Sequence, residues 1–133
     1  MSIDRCLDEK VLSFVESHLY LLALPPRRES CDVLSGRQVT PAGVRRLAEA
    51  SAGIWSGILS CDSGAWGHWS TECLESQLSM FPGMWSPELQ ECIEAYRGRV
   101  RGWKLTGAGC GGYLVLISDV PLEHTVGIRI CRR

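Results

Sequence analysis

The residues with the clearest chemical potential are six in a row, Gly107-Ala108-Gly109-Cys110-Gly111-Gly112. They satisfy G-x-G-x-x-G, the pattern with which dinucleotide-binding folds bring backbone against a pyrophosphate. That use requires a helix directly after the glycines, another strand, and an acidic residue about 20 positions on to hold the ribose. Here the glycines run into Tyr113 to Ile117 (YLVLI), a continuous apolar run suited to a buried strand, and too little chain follows for the rest of such a unit. A P-loop fits no better, since no Gly-Lys-Ser/Thr follows the glycines and Lys104 precedes them. What is left is a strand, a glycine turn and a strand, with backbone free to take positive φ and to let another group into van der Waals contact. A hairpin whose glycines serve geometry alone has the same pattern, so the turn by itself does not choose between binding and shape.

Other reactive side chains are dispersed. The seven cysteines (Cys6, Cys31, Cys61, Cys73, Cys92, Cys110, Cys131) are odd in number and none pairs as C-x-x-C, which argues for reduced, mostly buried thiols rather than a disulfide framework. His18, His68 and His124 lack H-x-x-x-H spacing, so no metal held by this chain is expected. The net charge is −1, and Arg27/Arg28, Arg45/Arg46 and Arg132/Arg133 stand apart in sequence, which leaves a nucleic-acid partner without electrostatic support. The amino terminus lacks the basic and apolar regions of a secretory signal, and no apolar run reaches the roughly 20 residues of a membrane span. No membrane partner and a cytoplasmic location follow as expectations.

The elements that must position the turn are readable from periodicity and caps. With 133 residues the chain has the length of a single domain. Asp8 to Glu16 reads as a short helix, and His18 to Leu24 as a buried strand stopped by Pro25-Pro26. The polar stretch Arg27 to Gln38 reads as an exposed loop. Thr40-Pro41 offers an N-cap hydroxyl followed by proline at the first helical position, and Val44, Leu47, Ala48, Ile54, Trp55, Ile58 and Leu59 then form one apolar stripe. Gly53 and Gly57 weaken that helix and mark a close packing contact. A second long helix is expected from about Ser63 to Met80, with Trp66, Trp69, Cys73, Leu74, Leu78 and Phe81 on its buried side and Pro82-Gly83 as its stop. Ser86-Pro87-Glu88 repeats the cap-and-proline start, and Gly98 ends that helix. Trp103 to Leu105, Tyr113 to Ile117 and Gly127 to Cys131 read as strands. Two or three helices packed on a small, largely antiparallel sheet is the architecture this order favours.

The segment Gly102 to Ile117, GWKLTGAGCGGYLVLI, closely resembles the third conserved motif of the GHMP kinases (galactose, homoserine, mevalonate and phosphomevalonate kinases), where Lys-Leu-Thr/Ser-Gly-Ala-Gly-x-Gly-Gly precedes an apolar strand. The likeness extends through Phe81 to Trp103, most similar to the branch acting on sugars such as heptose phosphates and fucose, and more loosely through Cys31 to Ser60. It implies a ferredoxin-like α+β two-layer sandwich forming the carboxy-terminal domain of the kinase. Its glycine turn would sit at the cleft between lobes, near the ATP phosphates. Carried over, Gly107, Ala108, Gly109, Gly111 and Gly112 would form the turn, with Lys104 and Thr106 flanking it. Cys110 stands where glycine or a small residue is usual. Asp32, Gln77, Phe81 and Met84 would lie near the acceptor sugar, although packing also accounts for Phe81 and Met84.

Such a kinase also needs an amino-terminal lobe bearing a Pro-x-Gly-Leu-x-Ser-Ser phosphate loop, and usually an acidic residue acting on the acceptor hydroxyl; this sequence contains neither. The resemblance therefore implies ATP and magnesium for the complete enzyme, with neither held tightly by this chain alone, and assigns it no catalytic residue. The implied partner is an amino-terminal lobe in cis or in trans, or a second copy meeting an exposed docking face; Trp66, Trp69, Met80, Met84 and Trp85 are the candidates for that face, or else ordinary core residues. A non-catalytic binding or dimerisation module of the same fold is the competing reading.

Overall fold

The computed structural model describes residues 4–25, 32–106 and 112–132. Each of its four helices starts on a side-chain cap, which satisfies an amide that the first turn would otherwise leave unpaired. Asp8 accepts from the Lys10 N–H at the head of α1 (Glu9–His18), and Thr40 from Gly43 N–H at the head of α2 (Pro41–Leu59). Asp62 accepts from Ala65 N–H for α3 (Ser63–Met80), and Ser86 from Leu89 N–H for α4 (Pro87–Tyr96). A single 3-10 turn, Pro82–Met84, separates α3 from α4. Gly98, at φ +82°, turns the chain after α4 in the left-handed region that glycine occupies without strain.

Four strands form one sheet: β1 (Leu19–Ala23), β2 (Gly102–Leu105), β3 (Tyr113–Ile117) and β4 (Val126–Gly127). Their order is β2-β3-β1-β4 and every pairing is antiparallel, with Leu21 opposite Val115 and Val126, and Lys104 opposite Val115. The fold is α+β, a small antiparallel sheet covered by helices. The strand order is that of a ferredoxin-like sheet, but residues 118–125, where that fold carries its second crossover helix, contain none.

Alternation along the strands places Leu105, Leu114 and Leu116 on one sheet face, where they join Leu74 of α3, Met84, Leu89, Ile93 and Tyr96 of α4, and Leu122 in one core. Burying each such leucine contributes about 2 kcal/mol. The second half of α2's packing is of a different kind. Instead of its large apolar stripe, α2 buries Ala50 and Gly57 and presses Gly43 on Met80, Gly53 on Trp69 and Gly57 on the backbone of Trp66. The stripe remains partly exposed, Val44 at 49% and Leu59 at 43%.

One expected strand is corrected. Of Gly127 to Cys131 only Gly127 pairs in the sheet. Beyond it the chain turns to α1, where Ile130 N–H donates to a Glu16 carboxylate oxygen (2.6 Å) and Arg132 bridges Glu9 (2.7 Å) and Glu16 (2.6 Å). Charge-assisted bonds to α1 replace the ladder that alternation alone suggested.

Candidate functional site

β2 and β3 are the two arms of the hairpin that carries the glycine motif, so the motif does lie between strands and no helix follows it. Gly107, Ala108, Gly109, Cys110 and Gly111 lie outside the described residues. At the hairpin's mouth stand Thr106 and Gly112. Gly112 has φ +77°, and its carbonyl accepts from Leu24 N–H at 2.9 Å, which ties β1 to the same point. Thr106 N–H donates to the Tyr113 carbonyl at 3.0 Å, and the Thr106 hydroxyl lies 3.2 Å from both the Tyr113 carbonyl and its N–H. Lys104, between core residues Trp103 and Leu105, belongs to the opposite face of the sheet, in the row formed by Val115, Leu21 and Val126. Tyr113, 45% exposed, is on that face too.

The four residues named for an acceptor pocket share one neighbourhood, for a reason visible in the packing. The loop at 32–36 lies across the 3-10 turn: the Asp32 carbonyl sits where a Cβ on Gly83 would be, and Gly36 faces Pro82. Gln38 N–H donates to the Met80 carbonyl (2.8 Å) and Phe81 N–H to the Gln77 carbonyl (2.7 Å), joining loop, helix end and turn. Asp32 is exposed and uses its carboxylate on Leu34 N–H at 3.0 Å. Gln77 is partly buried, and its amide oxygen is buried without a hydrogen-bond partner. Phe81 packs against the core and Met84 belongs to it, which is the packing assignment. α3 meets β2 through Gly67 at Gly102 and through Thr71 at Trp103, so helix and strand advance in the same direction there.

The proposed docking aromatics divide. Trp66, Met80 and Met84 are buried, Trp69 is half-buried against Gly53, and Trp85 stands 47% exposed. As a group they do not form an exposed face.

The sequence did not announce the polar hub at Asp119. Its carboxylate accepts from the Ser63 hydroxyl (2.6 Å) and Arg101 Nε (2.6 Å), with His18 Nε2 at 3.5 Å. The Ser63 hydrogen bond, then the Arg101 contact, holds the Asp119 carboxyl below its ordinary range. Serine, histidine and aspartate thus meet, but the carboxylate is central and the serine faces it instead of the imidazole. The imidazole does not reach that hydroxyl, and the cluster works as a clasp between α1, α3, the residue before β2 and the exit of β3. Its members come from four distant segments, so no local spacing betrays it. Among the described residues no group of three or more His, Cys, Asp and Glu side chains is arranged to hold a metal ion, and no helix is long and apolar enough to cross a membrane.

Compared with known proteins, the chain matches no family model and no curated protein.

Proposed function

We propose that this chain is the carboxy-terminal domain of an ATP-dependent sugar or sugar-phosphate kinase of the GHMP type, contributing the glycine hairpin and part of the acceptor pocket to a site completed by an amino-terminal lobe. The observation that carries the reading is the setting of the motif: Lys104-Leu-Thr106 and Gly112-Tyr113 are the two arms of one antiparallel hairpin, pinned across its mouth. Support also comes from the α+β fold and from the gathering of Asp32, Gln77 and Phe81 beside α3's end.

The described residues fit a phosphate's surroundings in part. Gly112 adopts a backbone conformation that keeps a side chain away, and Lys104 brings an ammonium group on the adjoining strand. They offer no cluster of carboxylates for magnesium, so in this reading its ligands, like the phosphate loop, belong to the other lobe. ATP supplies the transferable phosphoryl group; this chain's part is to shape one wall of the cleft and orient the acceptor.

Calorimetric titration with Mg-ATP tests the division of labour. The isolated chain should bind it weakly, and addition of a lobe bearing the phosphate loop should give tight binding and phosphoryl transfer to a sugar. Tight binding by the isolated chain would contradict the assignment of the nucleotide to an amino-terminal lobe. A non-catalytic association module is the second reading, favoured by the partly exposed apolar stripe of α2.

A further inference from the structure

We infer that Thr106 is a positioning residue whose hydroxyl sets the geometry at the mouth of the hairpin, instead of a group that touches a ligand. In a regular antiparallel ladder the two residues of a hydrogen-bonded pair exchange both N–H···O=C bonds. Thr106 and Tyr113 are such a pair, since Thr106 N–H donates to the Tyr113 carbonyl at 3.0 Å. The return bond is different. Tyr113 N–H donates to the Thr106 hydroxyl oxygen at 3.2 Å, and that hydroxyl can donate back to the Tyr113 carbonyl at 3.2 Å. A side-chain oxygen has taken the place of the main-chain carbonyl.

Two consequences follow. The hydroxyl's one donor and one of its two acceptor lone pairs are occupied within the hairpin. The next residue inward, Gly112, lies beside Thr106, where a Cβ placed on it would be in van der Waals contact, 3.5 Å, with both the carbonyl and the hydroxyl oxygen, and its own carbonyl takes Leu24 N–H. Thr106 thus governs how β3 and β1 meet at the point where the left-handed Gly112 leaves the sheet. The functional part of this inference rests on the kinase reading above; the positioning part does not.

The test uses the full chain with Thr106→Ser, which keeps the hydroxyl, and Thr106→Val, which keeps the shape and removes it. Residue-resolved amide exchange should show Tyr113 N–H exchanging about fivefold faster in the valine variant and within about twofold of the parent in the serine variant, with the Leu116 amide unchanged in both as a control for global stability. Equal Tyr113 exchange in all three proteins would overturn the inference. A parallel titration with millimolar Mg-ATP should move the Gly112 and Tyr113 amide resonances in the parent and serine variant and not in the valine variant. If no protein responds to Mg-ATP while the exchange order holds, the nucleotide reading fails and the positioning role stands. If valine responds like the parent despite faster exchange, the hydroxyl does not position the site.

Discussion

The hydroxyl of Thr71 accepts the backbone N–H of Trp103 at 3.2 Å, on the edge of β2 that faces away from β3. An unpaired sheet edge invites association with another strand, and here α3 closes it. One turn earlier, Gly67 and Gly102 let the two backbones approach so closely that a Cβ on Gly102 would overlap the Gly67 carbonyl. Gly102→Ala should therefore destabilise the domain by about 2–4 kcal/mol, since neither backbone can yield without disturbing the ladder. Gly98→Ala is the contrasting case. Nothing lies within 4 Å of its added Cβ, but φ is +82°, so strain alone should cost about 1 kcal/mol. Thr71→Val should cost about 1 kcal/mol for the lost edge bond. Urea unfolding of the three variants checks the order, and an equal loss for both glycine variants would refute the close approach.

Acid should loosen the carboxy-terminal tail. The Arg132 hydrogen bond, reinforced by Ile130 N–H, holds the Glu16 carboxyl down from its ordinary 4.5 to about 2. A depressed carboxylate pKa contributes stability that is present above the unfolded value and is lost as pH falls through the folded one. The tail contact should be complete above about pH 4.5 and vanish toward pH 2. Glu16→Gln should flatten this part of the acid dependence. Amide exchange at Ile130 against pH reads it directly, and a parent profile already flat between those limits would contradict the ion pair.

The two faces of α2 should respond oppositely to substitution. Ala50 is fully buried on the side packed against α3, where Ala50→Leu overfills the interface and should cost about 1–3 kcal/mol. Val44 is half-exposed on the apolar stripe, so Val44→Glu should change stability by less than about 0.5 kcal/mol. If the association reading is right, Val44→Glu also lowers the apparent mass at high concentration in light scattering. A chain that stays monomeric at every concentration removes the observation that favours it.

How far the sequence reaches can be judged from the same elements. Caps and stops are local chemistry, so Thr40-Pro41, Ser86-Pro87 and Pro82-Gly83 located helix ends well, and α3 occupies Ser63 to Met80 as expected. The buried face of α2 was harder, because Gly53 and Gly57 weaken a helix by propensity while tertiary packing uses their missing side chains. Gly127 to Cys131 alternates like a strand, yet long-range bonds to Glu9 and Glu16 divert it. The Asp119 hub joins residues as far apart as Ser63 and His18, a relation that no periodicity encodes. At the candidate site the strands flanking the glycines were legible from Trp103 to Leu105 and from Tyr113 to Ile117, and the crossing of the Thr106 hydroxyl to Tyr113 was not, since a threonine at a strand end specifies no partner.

Gln77 allows stability and function to be separated. Its amide oxygen is buried and unpartnered in a protein whose other buried side-chain polar atoms, among the described residues, find partners. An unmet buried acceptor costs about 1–3 kcal/mol, a cost that an apolar replacement of similar size avoids. Gln77→Leu should thus leave the melting temperature unchanged or raise it. A hydroxyl donor, from a sugar in the proposed reading, would satisfy the same oxygen, so in the complete kinase Gln77→Leu should lower kcat/KM for the acceptor while leaving the affinity for ATP intact. A stabilised variant with full activity would mark Gln77 as a packing defect and take it out of the acceptor pocket.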